Sequence, residues 1–409
     1  MQLPAYEHLD TWVDAHFDEQ VAFLQALVQI PTDTPPGNNA PHADVTADLL
    51  TKFGFDVEKY PVPPSEVQAH GLTSITNLIV RQRYGSGKTV ALNAHGDVVP
   101  PGEGWTFDPY GGQIADGKLY GRASAVSKSD FATYTFAVRA LETLKSQLTG
   151  AVELHFTYDE EFGGELGPRW LLANKLTRPD LLIAAGFGYH VVTSHNGCLQ
   201  IEVTVRGKMA HAAFPVNGVD ALQGAIVILN ALYAKNTVYR TITSEIPGIG
   251  HPTLIVGRID GGTNTNVVPA KVTFCLDRRI IPEEDPVAVE AEIRDVIAKA
   301  AATIPGISVE LRRLLLANAL VPMPSAKVLV DVLQKHGQEL FGEEIPTSGT
   351  PLYTDVRLYC EAGIPAVMYG AGPRTISEAN VKQVDEHIVL EDLRKATKVI
   401  ARALYDLLR

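Results

Sequence analysis

The stretch Ala151–Gly164, AVELHFTYDEEFGG, constrains the chain more than any other. Val152–Phe156 reads as a buried strand. It runs into three consecutive carboxylates, Asp159, Glu160 and Glu161, and then Gly163-Gly164. Adjacent negative charges at the end of a buried strand are costly unless a proton, a cation or a metal neutralises them. A fold that keeps this strand must gather positive charge at one end of a sheet. The triplet alone would also suit a solvated acidic turn, so the rest of the chain has to decide.

A chain of 409 residues is too long for one ordinary core, and two domains are expected. Apolar content of 45% and charged content of 20% fit a soluble globular protein. The net charge of −12 argues against nucleic acid or an anionic membrane as partner. Cys198, Cys275 and Cys360 form no CxxC pair, which points to a reducing compartment and no structural zinc. The N-terminal stretch MQLPAYEHLDTWVDAHFDEQ carries acids where a signal peptide needs basic and then apolar residues. No later stretch is long enough to span a bilayer. A cytoplasmic enzyme with no membrane partner is the expectation.

Apolar spacing predicts helices over Trp12–Leu27, Ala40–Phe53 and Phe131–Leu144. Strands are predicted over Asp56–Tyr60, Asn77–Arg81, Thr89–Asn93, Val152–Phe156 and Leu181–Ala185. This alternation indicates an α/β domain with a mixed, largely parallel sheet. The order then changes. Strands Leu199–Val205, Pro252–Asp260, Ala270–Arg278 and Ser308–Arg312 interleave with helices Val219–Leu232 and Pro286–Ala301. That βαββαβ order suits a two-layer lid domain over 197–313, inserted in a discontinuous catalytic domain of 1–196 and 314–409. An amphipathic helix, Leu390–Leu408, closes the chain.

The second chemical stretch is Ala91–Pro100, ALNAHGDVVP, in which a strand delivers His95 and Asp97 at its C-terminal end. Further along stand Leu119-Tyr120-Gly121-Arg122, then Gly207-Lys208-Met209-Ala210-His211 with Pro215, and Gly262, Asn264, Asn266 and Pro269. Thr354-Asp355-Val356-Arg357, Gly363-Ile364-Pro365 and Tyr369-Gly370-Ala371-Gly372 follow. In this order they resemble the dinuclear metallopeptidases and deacylases. That family includes aminoacylase, acetylornithine deacetylase, succinyl-diaminopimelate desuccinylase and glutamate carboxypeptidase.

The resemblance implies two divalent ions held by five ligands, one of them a bridging aspartate within GRGAxDMKGG. Here that segment reads GRASAVSKSD, Gly121–Asp130, with Lys128 in register and Val126 where the bridging acid belongs. His95 and Glu161 match two ligands. Gly186 falls at the third acid and Lys382 at the last histidine. The expectation is therefore no metal, or at most one divalent ion (zinc, manganese or cobalt). Lys382, with Lys128 second, would then supply the missing positive charge as an ion pair to Glu161 or Glu160. His190 and His195 could instead serve a relocated metal site. Glu160 matches the family's general base, and the His95–Asp97 pair is the alternative base. Ser124, Ser127 and Ser129 are candidate nucleophiles that also suit a simple turn.

By the same resemblance, His211, Asn266 and Arg357 bind substrate, the arginine as a fork for a carboxylate. The reading is an amidohydrolase-like homodimer, paired through its lid, acting on a small carboxylate-bearing N-acyl amino acid, peptide or related amide. The alternatives are a conventional metal-dependent deacylase with relocated ligands and a non-catalytic ligand-binding relative.

Overall fold

A computed structural model of the protein describes residues 4–409. In chain order the principal strands are β1 (Val57–Pro61), β2 (Thr76–Arg83), β3 (Thr89–His95), β4 (Ala151–Thr157), β5 (Leu181–Ala184) and β6 (Val191–His195). They continue as β7 (Gly197–Arg206), β8 (Thr253–Gly261), β9 (Lys271–Ile280), β10 (Ser308–Ala317), β11 (Thr347–Thr350) and β12 (Ala366–Met368). The helices used below are α1 (Phe17–Val28), α2 (Lys128–Glu142), α3 (Ala221–Tyr239), α4 (Pro286–Ala301) and α5 (Leu390–Leu408). The chain divides into two compact units. The first runs to Thr193 and resumes over Pro322–Ser348 and Thr354–Arg409; the second is Ser194–Val321 with Gly349–Tyr353.

The larger sheet has the order β1-β2-β4-β3-β5-β12-β6-β11. Its centre is parallel: β3 pairs in parallel with β4 and β5, and β12 with β5. Strands buried on both faces need continuous apolar sequence, and Leu181–Ala184 supplies it. Helix α5 lays Leu393, Ala396, Val399, Ile400 and Leu404 into the core at helical spacing, packing on α2. Because the central strands run the same way, their C-terminal ends share one edge. There the chain leaves β3 at His95, β4 just before Asp159, β5 just before Gly186 and β12 just before Gly370.

One predicted helix is two. Trp12–Leu27 breaks at His16, between Ala5–Ala15 and α1. The His16 ring stacks on Trp12 at 3.9 Å and its Nδ1 lies 2.8 Å from Trp12 O. Both pieces bury an apolar face, so apolar spacing alone does not reveal the break.

The second unit is an antiparallel sheet in the order β8-β9-β7-β10, with α3 and α4 forming its apolar core with one face. Burial along β9 alternates with the period of two of a half-covered sheet. Asp220 and Asp285 cap α3 and α4, accepting from Leu222 N at 2.8 Å and Val287 N at 3.0 Å. The expected lid limits, 197 and 313, differ from the unit's main span, 194–321. Residue 313 lies inside β10, because the register with β7 continues through Leu316↔Leu199.

Candidate active site

At the end of β3, His95 Nδ1 lies 3.0 Å from Asp97 O and 3.4 Å from Asp97 Oδ1. Its Nε2 lies 3.9 Å from Glu160 Oε2. Asp97 is fully buried, and its Oδ2 accepts from Glu161 N at 2.9 Å. One carboxylate thus ties the histidine to the acidic turn. That turn, Glu160–Phe162, ends at Gly163 with φ 99°, a left-handed conformation that glycine adopts without a steric penalty. Beneath it Asp159 Oδ2 accepts from Leu166 N at 2.5 Å.

The electrostatics follow from crowding. Burial pushes the Glu160 carboxyl up to about 7; Glu161 and Asp97 add to this, while His95 and Lys382 oppose it. For His95 burial favours the neutral ring, but Glu160 and Asp97 outweigh it and raise the imidazole to about 10. These neighbours favour the cationic ring at neutral pH. Asp159 and Asp355 are both buried and lie well above the usual carboxylate range, through burial first and then neighbouring acids.

Lys382 Nζ lies 2.6 Å from Glu161 Oε2. The lysine side chain is 51% exposed and that of Glu161 9%. Val126 is half-buried against Ala125, Val381, Ala379 and Ile376, a small apolar cluster. Gly186 has no room for a side chain: a Cβ there would stand 2.7 Å from Tyr369 N.

Several expected roles meet different surroundings. Lys128 is buried and donates to Leu27 O at 3.1 Å and Ile30 O at 2.9 Å. It is thus a tie to the end of α1 rather than a cation facing Glu160. The three serine hydroxyls bond to backbone: Ser124 to Glu386 O, Ser127 to His95 O and Ser129 to Ala125 O. His190 stacks on Phe187 at 4.7 Å, and His195 Nδ1 lies 2.8 Å from Asn196 O. Among the described residues no group of three or more His, Cys, Asp or Glu side chains is arranged to hold a metal.

Arg357 differs most from expectation. It is 2% exposed, donates to Gly163 O at 2.7 Å and pairs with Glu361 at 3.3 Å. These contacts tie Arg357 to the acidic turn through Nη1 and Nη2, while its buried Nε has no hydrogen-bond partner among the described residues. In the second unit, Ala210–His211 pairs with Val267–Val268, and Ala212 N donates to Asn266 O at 2.9 Å. This brings exposed His211 and Asn266 side by side.

Two buried groups were missed as site residues. Arg122 Nη1 lies 2.6 Å from Glu386 Oε2, with the guanidinium 5.0 Å from the Trp105 ring centre. Asp130 is buried in the first turn of α2. Its one signal in the sequence is an acid where GRGAxDMKGG has glycine.

Residues 91–406 match the model of peptidase family M20/M25/M40. Succinyl-diaminopimelate desuccinylase of Methylorubrum extorquens is 28% identical over 401 residues, covering 94% of this chain and 97% of the relative. Acetylornithine deacetylase of Proteus mirabilis is 30% identical over 355 residues, 84% of each chain. The M20 family metallo-carboxypeptidase Sso-CP2 from Sulfolobus solfataricus superposes with a TM-score of 0.77 at 18% identity, covering 95% of this chain and 98% of that one.

Arg357→Ala should lower unfolding stability by about 2–4 kcal/mol, through the buried Gly163 carbonyl and the cavity left behind. Lysine should not restore it, since it cannot reproduce the fork. Chemical denaturation decides: unchanged stability with a raised KM would return Arg357 to substrate binding.

Proposed function

The chain belongs to peptidase family M20/M25/M40, and on that footing we propose that it cleaves an amide of an N-acyl amino acid or peptide at a site holding few or no metal ions. The observation that carries this reading is Glu160 facing His95 at 3.9 Å with Asp97 behind the ring. Glu160 takes the proton of the attacking water, and the imidazolium gives one to the departing nitrogen. Water without a Lewis acid is a weak nucleophile. The substrate is thus an activated amide, or the same groups serve a proton transfer, elimination or acyl transfer. His211 and Asn266 are assigned to substrate binding.

The donor set supports the metal-poor part. Two divalent ions need a bridging acid, and apolar Val126 stands at that place. Gly186 admits no side chain, and Lys382 puts an ammonium on Glu161. These residues do not fit a metal pair, and at most one zinc, manganese or cobalt ion is assigned. A cytoplasmic setting is proposed with it; no described helix is long and apolar enough to cross a membrane.

A homodimer through the lid is also proposed. Along α3, Leu222, Ile226 and Tyr233 are 41%, 48% and 47% exposed, and on the edge strand β8 Ile255 and Ile259 are 57% and 53% exposed. An apolar stripe beside an open sheet edge favours a second copy.

Glu160→Gln should abolish turnover of an acyl-amino-acid and dipeptide panel while the circular dichroism spectrum stays unchanged, because the amide cannot accept a proton. In the wild type Glu160 is ionised only above about 7 and His95 protonated only below about 10. The rate should rise through the first value and fall through the second. Near-normal turnover by the variant, or a rate flat from about pH 5 to 9, would remove Glu160 from the chemistry.

Metal analysis of the purified protein should give fewer than two ions per chain, and Lys382→His should not raise it to two while Val126 remains. Lys382→Ala should cost roughly three- to fivefold in kcat/KM, against no more than about twofold for Lys52→Ala. Two tightly held ions in the wild type would favour the conventional metal-dependent reading.

Light scattering should give twice the 44.2 kDa chain mass for the wild type, and Ile226→Asp should shift it toward the single-chain value. A wild type of single-chain mass at micromolar concentration would end the dimer proposal.

A further inference from the structure

The first turn of α2 is where this chain departs most from GRGAxDMKGG, reading Ser127-Lys128-Ser129-Asp130 against Met-Lys-Gly-Gly. Its polar side chains reach outward to separate elements. Ser127 Oγ accepts from His95 N at 3.1 Å and donates to His95 O at 3.2 Å, holding the end of β3. Lys128 holds the end of α1. Asp130 Oδ1 accepts from Ala371 N at 2.8 Å, holding the chain just beyond β12. One helical turn on, Tyr134 Oη donates to Tyr369 O at 2.8 Å.

Asp130 also brings an acid near the position left without one. The Gly186 amide, at the position where the resemblance expects the third metal-binding acid, lies close enough to its carboxyl to lower the proton affinity that burial raises. A Cβ on Gly370 would stand 2.1 Å from Asp130 Oδ1, so the carboxylate packs directly against the chain leaving β12. The residue is 1% exposed, and no hydrogen bond is described for its Oδ2. An acid absent from the end of β5 is thus present beside the chain leaving its neighbour β12, delivered from a helix.

We propose that Asp130 is a positioning residue of this site, which with Ser127 does by hydrogen bonds the cross-linking of strand ends that a pair of metal ions would otherwise do. The inference rests on the His95–Glu160 site being the seat of the chemistry. An acid three residues into a helix also stabilises the helix dipole, but that role concerns α2 alone. A clamp makes a different demand: the chain after β12 must loosen when Asp130 is lost, and a neutral acceptor of the same shape must suffice.

The test is amide hydrogen exchange of the full chain, with steady-state kinetics beside it. Asp130→Gly should speed exchange over Tyr369–Gly372 by about tenfold or more while β9, in the other unit, exchanges as in the wild type. In the same variant kcat should fall roughly 10- to 100-fold with KM within about threefold. Asp130→Asn keeps an oxygen for the Ala371 N–H and should retain slow exchange and most of kcat. Should Asp130→Gly not fold, Asp130→Ser, whose hydroxyl is too short to span to Ala371, carries the same comparison. Exchange at Tyr369–Gly372 as slow in the glycine or serine variant as in the wild type overturns the proposal. So does exchange in Asp130→Asn as fast as in that variant. The exchange result stands whether or not the wild type turns over any amide, so failure of the proposed function shows separately.

Discussion

Everything at the end of the parallel strands depends on how a crowd of buried carboxylates is kept from repelling itself apart. Asp97, Asp159, Glu160 and Asp355 are each less than a tenth exposed and come from neighbouring segments. Lys382 is the obvious answer, but the magnitudes point elsewhere. Its side chain is half in water, where an ion pair contributes about 0–1 kcal/mol. Holding Glu160 ionised at neutral pH is harder: a shift from 4.5 to about 7 corresponds to ~3 kcal/mol. Protons do most of the neutralising. One sits on His95, and Asp159 and Asp355 hold theirs well above the usual range. Lys382 settles Glu161 at the rim, while His95 is the interior cation.

This division of charge bears on the proposed chemistry. A cationic imidazole 3.9 Å from a carboxyl that titrates near neutrality forms an acid beside a base. Each moves the other's proton affinity in the direction that keeps them different. Asp97 holds the geometry from below, touching both His95 and the Glu161 amide. Arg357 holds it from the far side through Gly163 O. Acid, base and turn are therefore held by Asp97 and Arg357, groups on two separate segments.

Much of this was legible in the sequence, for reasons that also explain the rest. The α/β alternation, the βαββαβ insertion and the final helix follow from apolar periodicity, which the core itself imposes. The residues at the strand ends, His95, Asp97 and Glu160, follow from strand direction plus motif order. Periodicity does not see His16, because the apolar stripe continues through the break. It does not place the end of β10 either, since Leu314–Ala317 is apolar whichever unit it joins. Arg357 read as a substrate ligand because an arginine in a motif suggests a free fork; only tertiary packing shows its Nη atoms already bonded to Gly163 and Glu361. Asp130 escaped notice because its partner, Ala371 N, is a backbone amide, and backbone amides carry no residue signature.

Val126, Lys382, Ser127 and Asp130 are physically linked, which bears on whether the proposed metal-poor site would be one state or several accidents. Val126 packs against Val381, so its apolar contact adjoins the loop that carries Lys382. An ion at that place would have to sit against methyl groups instead of oxygen and would gain nothing there to replace its hydration. Lys382 extends from the next residue of that loop to Glu161, 2.6 Å away. Ser127 and Asp130 reach His95 and Ala371 from the turn that follows Val126. On the proposed metal-poor reading these residues form one connected arrangement, so changing one of them alone should not restore a metal pair.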